Sequence, residues 1–190
     1  MATGQIASRR PYDLERTSKR AADTSVLLTN MVIGRPGSTR AIEAIARTRF
    51  LHAQYRREGK ISDDDMLYTL SLFVLNPIQW VDRFEWRRLT DLERCALAIF
   101  WKALGEDLGI PYGSLPSSSR GWADALHWLR ELDKWSRAYA DRHVKADTSN
   151  AILAAATMGM VLHRVPDMAK PAGQYLVSVI LGPHISNAMG

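Results

Sequence analysis

Arg49 and His52 are the two residues of this sequence best suited to hold a cofactor or a metal. They lie one turn apart in a segment, residues 39–58, whose apolar spacing predicts a helix. Ile42 and Ile45 begin the same helical stripe, so we expect Arg49 and His52 on the buried face. Burying an unpaired charge is costly, and each side chain therefore needs a partner. An iron-bearing anionic cofactor would satisfy both, with imidazole on the metal and guanidinium on carboxylates.

Two other interpretations of this pair stay open at the level of the residues. His52 is a core histidine bonded to a backbone carbonyl, or both side chains join an internal network with acids such as Asp65 or Glu93. The remaining histidines are far apart and form no i, i+4 pair, which argues against a multi-histidine zinc site. Cys95 is the only cysteine and lies in an apolar run, so we expect an inert core thiol and no intrachain disulfide.

Three further polar residues are candidates for chemistry. Arg16 and Lys19 share one helical face, which is ordinarily solvated but would offer cations to carboxylates or to bound oxygen. Thr69 is a lone hydroxyl within an apolar helix. Most such threonines donate to a carbonyl of the preceding turn.

Nearly every segment that must position these residues is predicted to be helical. Capping signals at Ser62 and Thr90 begin two of the helices, and the first should end near residue 75, before Pro77. The predicted helices cover residues 13–33, 39–58, 63–75, 77–88, 91–108, 122–143, 147–164 and 172–187, with a loop at 109–120. The prediction is an all-α fold, a single domain of six to eight helices over residues 12–190 after a flexible segment 1–11.

Composition limits the partners of the chain. The 190 residues are 46% hydrophobic and 24% charged, with a formal net charge of +5. No nucleic-acid-binding motif accompanies this modest positive charge, so we expect no nucleic-acid partner. The longest apolar runs are well short of the ~20 residues that span a bilayer, so we expect no transmembrane segment, although peripheral membrane contact stays open.

A succession of short segments resembles a known family. The segments are RFLHAQYR at 49–56, GKIS at 59–62, DMLYTLSLF at 65–73, WVDRFEWR at 80–87, and ERCA with FWKALG between 93 and 105. Together they resemble fungal oxygenases of the mycophenolic acid pathway, a family that shares its catalytic domain with bacterial rubber oxygenase. The resemblance runs from about residue 19 to the C-terminus.

The resemblance implies an all-α domain that binds haem b and uses dioxygen to cleave carbon–carbon double bonds of isoprenoid chains. An R-x-x-H helix in the family supplies the proximal ligand, which matches Arg49 and His52. A functional threonine on the next helix matches Thr69, and an upstream R-x-x-K element on the distal side matches Arg16 and Lys19. The expected substrate is an apolar, prenylated secondary metabolite, and the expected location is intracellular, in the cytoplasm or peripherally on the endoplasmic reticulum.

One departure from the family pattern supports a second hypothesis. Family members carry a membrane anchor and further helices at the N-terminus, whereas this sequence starts close to the Arg16–Lys19 element. The second hypothesis is a haem-free relative that binds a hydrophobic ligand or acts as an accessory protein of a pathway. A nucleic-acid or membrane-surface binder is a third.

Overall fold

The computed structural model describes residues 14–143, 158–159 and 162–175. Its helices are α1 (Leu14–Val32), α2 (Thr39–Arg57), α3 (Asp63–Phe84), α4 (Asp91–Asp107) and α5 (Ala125–His143), with a 3-10 turn at Asp167–Ala169. No strand occurs in these described ranges, which confirms the all-α prediction. The N-terminal segment 1–11 and most of the helices predicted for 147–164 and 172–187 lie outside the described residues.

The chain divides into two compact units. One consists of residues 27–142, and the other combines residues 1–26 with 143–190. In the second unit, Leu162 is buried and Gly173 lies so close to it that an added Cβ would be 2.8 Å from its Cδ2 atom. All the site residues discussed below, apart from Arg16 and Lys19, belong to the first unit.

The starts of α3 and α4 follow directly from the local sequence. Ser62 and Thr90 each accept a hydrogen bond from the backbone N–H of the residue three positions later. The side chains of Asp65 and Glu93 in turn accept a bond from the capping residue's own N–H, at 2.9 and 2.8 Å. Both predicted capping signals are confirmed, because all four groups that make them are near neighbours in sequence.

The prediction that the helix ends before Pro77 is wrong. Helix α3 continues to Phe84, so residues 77–84 form its second half and not a separate short helix. A proline inside a helix removes one hydrogen bond and costs about 3 kcal/mol. Leu75 and Ile78 flank Pro77 and are 7% and 4% exposed, and burying side chains of this size contributes about 1.5–3 kcal/mol each. Core packing on both sides of Pro77 therefore offsets the local cost.

The predicted orientation of α2 is also wrong. Its buried residues are Ala41, Ala44 and Thr48, whereas Ile42 is 56% exposed. The Thr48 hydroxyl donates to the Ala44 carbonyl at 2.8 Å, and its oxygen lies 3.9 Å from the Met31 sulfur. Two alanines and an internally bonded threonine let α2 pack closely, which isoleucines on that face would prevent. Arg49 is consequently exposed, and His52 is half-buried.

The core of the first unit lies where α3, α4 and α5 pack together. Its most completely buried side chains are Leu67, Val74, Leu115, Trp128 and Leu132. A hydroxyl pair, Ser71 with Ser136 at 2.8 Å, joins α3 to α5 within this core. The prediction for α5 holds at Leu129 and Leu132, while Leu126 and Trp135 are only partly buried.

Candidate functional site

A cleft of about 340 Å³ opens beside α2 in the first unit. It is lined by Arg49, Phe50, His52, Ala53, Arg56, Leu108 and Gly109. Every lining residue comes from α2 or from the turn that follows α4. The structure thus brings the predicted pair, Arg49 and His52, to one cleft, although on a flank of α2 and not on its buried face.

Two arginines of α2 hold this helix against the end of α4. Arg49 donates from Nη1 to the Asp107 carbonyl at 3.2 Å, and Arg56 donates from Nη1 to the Gly109 carbonyl at 3.1 Å. The last carbonyls of a helix have no partner within it, so the guanidinium groups satisfy acceptors that α4 leaves open. Gly109 has φ of +69°, a left-handed conformation that suits glycine and ends α4 at this point.

His52 is the cleft residue whose charge depends on pH near neutrality. Burial lowers its pKa from the usual 6.5, and the positive charge of Arg56 lowers the pKa further, so the imidazole is neutral near pH 7. None of the described residues makes a hydrogen bond with its ring. A metal ion requires a neutral imidazole with one ring nitrogen free to coordinate it, and His52 meets this requirement among the described residues.

Arg49 brings a charge to the cleft that no described carboxylate neutralises. Its described contact is to a backbone carbonyl, whereas Arg56 forms an ion pair with Asp63 at 2.5 Å. The two arginines therefore differ in what they offer: Arg56 is held by an acid, and Arg49 keeps its charge for an external anion.

The hypothesis of an internal network with Asp65 or Glu93 is wrong. Asp65 accepts from Ser62 and from the Tyr139 hydroxyl, and Glu93 accepts from Arg87 and Thr90. Burial opposes ionisation of Asp65, but the hydrogen bonds from Ser62 and Tyr139 favour it, and the pKa of Asp65 is lowered. Both acids are thus engaged at helix starts, away from the cleft pair.

The other predicted site residues do not line this cleft. Thr69 is exposed and donates to the Asp65 carbonyl at 2.8 Å, as most helical threonines do. Lys19 is exposed on α1, in the unit formed by residues 1–26 and 143–190, and the side chain of Arg16 lies outside the described residues. The catalytic roles of Thr69, Lys19 and Arg16 stay predictions.

Sequence analysis missed several residues of the cleft. Arg56 follows His52 by four positions, a spacing that places the two on one helical face, so this signal was available. Leu108 and Gly109 were not predictable as neighbours of His52, because they follow another helix.

Cys95 is half-buried and not a core thiol, and no group of three metal-ligating side chains occurs in the part of the chain described.

Comparison with known proteins places the chain in a family. The model described as "ER-bound oxygenase mpaB/B'/Rubber oxygenase, catalytic domain" matches residues 2–190. The chain belongs to this oxygenase family. The match confirms the resemblance found in the sequence and extends further toward the N-terminus than residue 19.

Three fungal relatives of this oxygenase family are similar over most of the chain. The ER-bound oxygenase mpaB of Penicillium roqueforti is 42% identical over 92% of the chain, and mpaB' of Penicillium brevicompactum is 41% identical over 92%. The mpaB protein of Penicillium brevicompactum is 41% identical over 88%. The chain spans 59%, 41% and 43% of the lengths of these relatives, respectively. No solved structure gives a significant match.

A helix that crosses a bilayer needs about 20 predominantly apolar residues. Among the described residues, no helix is both long and apolar enough to cross a membrane.

Proposed function

We propose that this protein is a haem-dependent oxygenase that cleaves or oxidises a carbon–carbon double bond of an apolar, prenylated metabolite. Its family is one of oxygenases, which implies dioxygen as the co-substrate. The observation that carries the haem proposal is the pairing of His52 with Arg49 in one cleft. The first is a neutral imidazole without a described partner, and the second is a guanidinium without a described carboxylate.

The chemistry of these side chains fits a b-type haem. His52 would bind the iron, and Arg49 would bind a propionate. Phe50, Ala53 and Leu108 offer apolar contact to a flat macrocycle. When bound, haem would supply redox-active iron for the reaction with dioxygen. The lining residues form one wall of such a site, because they all come from α2 and the turn after α4.

Three residues outside the cleft are proposed to act in the same reaction. Lys19 and Arg16 would offer positive charge, and cations stabilise negative charge that develops on oxygen. Thr69 would approach the substrate from α3. These assignments rest on matches to short family motifs.

The experiment that tests the haem proposal is a haemin titration followed by absorbance in the Soret region. We expect the purified chain to shift the Soret band, His52→Ala to lose the shift, and added imidazole to restore it. The matched control is His163→Ala, since His163 is an exposed histidine of the other unit and should leave the shift intact. A shift that survives in His52→Ala rejects His52 as the ligand.

A haem-free function is the second candidate, and the one-walled shape of the cleft favours it. In that case the protein would bind a hydrophobic ligand as an accessory protein, and haemin would produce no Soret shift. His52→Ala would then change the melting temperature equally with and without haemin. We also propose peripheral association with the endoplasmic reticulum, because the similar Penicillium proteins are named as ER-bound.

A further inference from the structure

Helix α2 carries an apolar stripe on the side that faces away from the core. The stripe consists of Ile42, Ala46, Phe50 and Ala53, which succeed one another at the three- and four-residue spacing of a single helical face. All four are exposed, and Ile42 and Phe50 remain 56% and 65% exposed. Single exposed apolar residues are ordinary, but a continuous stripe along a helix is typical of an interaction surface.

Arginines lie on both sides of this stripe. Helix α2 holds five arginines (Arg40, Arg47, Arg49, Arg56 and Arg57) against one acid, Glu43, so five positive charges and one negative give a net +4. Arg40 and Arg47 flank the stripe on one side, and Arg49 and Arg56 flank it on the other. The Arg47 guanidinium lies 5.6 Å from the centre of the Phe50 ring, so charge and apolar surface adjoin.

The exposed aromatic residues near the end of α3 provide a contrast. Trp80, Phe84 and Trp86 are also exposed, but two of the four arginines of that region, Arg87 and Arg94, have acidic partners. Arg94 pairs with Asp82 at 2.5 Å, and Arg87 makes two bonds with Glu93 at 2.7 and 2.8 Å. On α2, Arg40, Arg47 and Arg57 have no ion pair with any described residue, so their charge is available to an external anion.

We propose that the outer face of α2 binds the surface of an anionic lipid bilayer. The stripe would enter the headgroup region while the flanking arginines contact lipid phosphates, as in amphipathic helices that lie in the membrane plane. Phe50 and Ala53 line both the stripe and the cleft, so the cleft would open at the membrane surface. An apolar substrate dissolved in the bilayer would then reach it without crossing water. Only this last consequence rests on the proposed function.

Vesicle flotation of the complete chain, with no haem added, tests the proposal. The vesicles are phosphatidylcholine alone or phosphatidylcholine mixed with phosphatidylserine. We expect binding to the mixed vesicles only, and weaker binding at high salt. Equal binding to both vesicle types, or binding to neither, would overturn the proposal without affecting the haem titration.

Variants locate the binding surface on α2. Ile42→Glu combined with Ala46→Glu should abolish flotation, and Arg47→Gln combined with Arg57→Gln should weaken binding roughly 30-fold. The matched controls are Ile99→Glu on α4, where Ile99 is 58% exposed, and Arg130→Gln on α5, and both should bind as the unchanged chain does. Circular dichroism and melting curves check that each variant folds.

Two results for the α2 variants would contradict the proposal. One is wild-type flotation by both double variants. The other is a dimer in solution that the Ile42→Glu and Ala46→Glu changes convert to a monomer while vesicle binding persists, because the stripe would then cover a second copy of the chain.

Discussion

His52 and His127 are both half-buried histidines of the first unit, yet their surroundings differ. The Nδ1 atom of His127 accepts a hydrogen bond from the Ala123 N–H at 3.3 Å, and its Nε2 lies 3.2 Å from Glu131. His52 has no such bond with any described residue. A histidine with both ring nitrogens engaged holds structure together, whereas one with neither engaged has its coordinating capacity left.

The acids near the two histidines differ in the same way. Glu131 accepts bonds from the Ser117 N–H and hydroxyl and from the Trp122 ring N–H, at 3.1, 2.6 and 2.8 Å. Burial opposes ionisation of Glu131, but these bonds outweigh it and lower its pKa to about 2. The loop before α5 is thus joined to that helix by satisfied polar groups. Around His52, the Arg49 guanidinium has no described carboxylate partner and the His52 imidazole has no described hydrogen bond. Polar groups that remain available in this way are expected of a binding site.

The largest effect on stability should come from Glu131→Ala. This change leaves donors of Ser117 and Trp122 without their acceptor, and losing hydrogen bonds to a charged group should lower the free energy of unfolding by about 2–3 kcal/mol. Urea unfolding measures the change, with Asp133→Ala as the control, because the described partner of Asp133 is Arg137, an exposed residue of the same helix. An unaltered unfolding curve would mean that the Glu131 network does not hold the loop.

Low pH should destabilise the hydrogen bonds by which Glu131 joins the loop before α5 to that helix. The folded pKa of Glu131 lies below the ordinary 4.5, so its contribution is fully present above about pH 4.5 and is lost as the pH falls toward 2. After allowance for solvent screening, this contribution is about 1–2 kcal/mol. Unfolding measured across this range should show a shallower dependence on pH in Glu131→Gln. Identical slopes in the two proteins would contradict the assignment.

In the cleft that contains His52, Gly109→Val should distort the local structure. A β-branched residue at φ of +69° is strained, and the free energy of unfolding should fall by about 1–2 kcal/mol. The carbonyl that receives Arg56 belongs to this residue, so haemin affinity should fall as well. Gly37→Val is the matched control, because Gly37 also has a positive φ, of 75°, but does not line the cleft. Equal loss of haemin affinity in both variants would show that strain alone is responsible.

Arg49→Gln should have the smallest effect on stability. The side chain is exposed and its described bond is to a single carbonyl, so the change in unfolding free energy should stay below about 0.5 kcal/mol. Haemin affinity should nevertheless fall, by roughly tenfold for one lost charged bond. Arg47→Gln supplies the control, since Arg47 lies on the same helix but does not line the cleft. A large loss of stability with unchanged haemin affinity would make Arg49 a structural residue.

The sequence predicted what depends on near neighbours. The capping bonds of Ser62 and Thr90 and the limits of α2 and α4 depend on residues that are close in sequence. The orientation of α2 was not predictable, because it depends on how closely Ala41 and Ala44 approach other elements. The course of α3 through Pro77 likewise depends on packing that the local sequence does not contain.

In the cleft, too, some features were predictable from the local sequence and others were not. The spacing of Arg49 and His52 predicted that they act together, and they do line one cleft. The carbonyls of Asp107 and Gly109, which accept bonds from Arg49 and Arg56, lie more than fifty positions away in sequence and are groups that every residue carries. No pattern of side chains marks them.

The most direct test of the different roles of the two histidines is a paired measurement on His52→Ala and His127→Ala. Each variant is titrated with haemin and unfolded in urea. We predict that His52→Ala loses the Soret shift and keeps its stability. We predict that His127→Ala keeps the shift and loses about 1 kcal/mol of unfolding free energy with its hydrogen bonds. If His52→Ala keeps the shift, or if both variants lose it equally, His52 is not the residue that binds the cofactor.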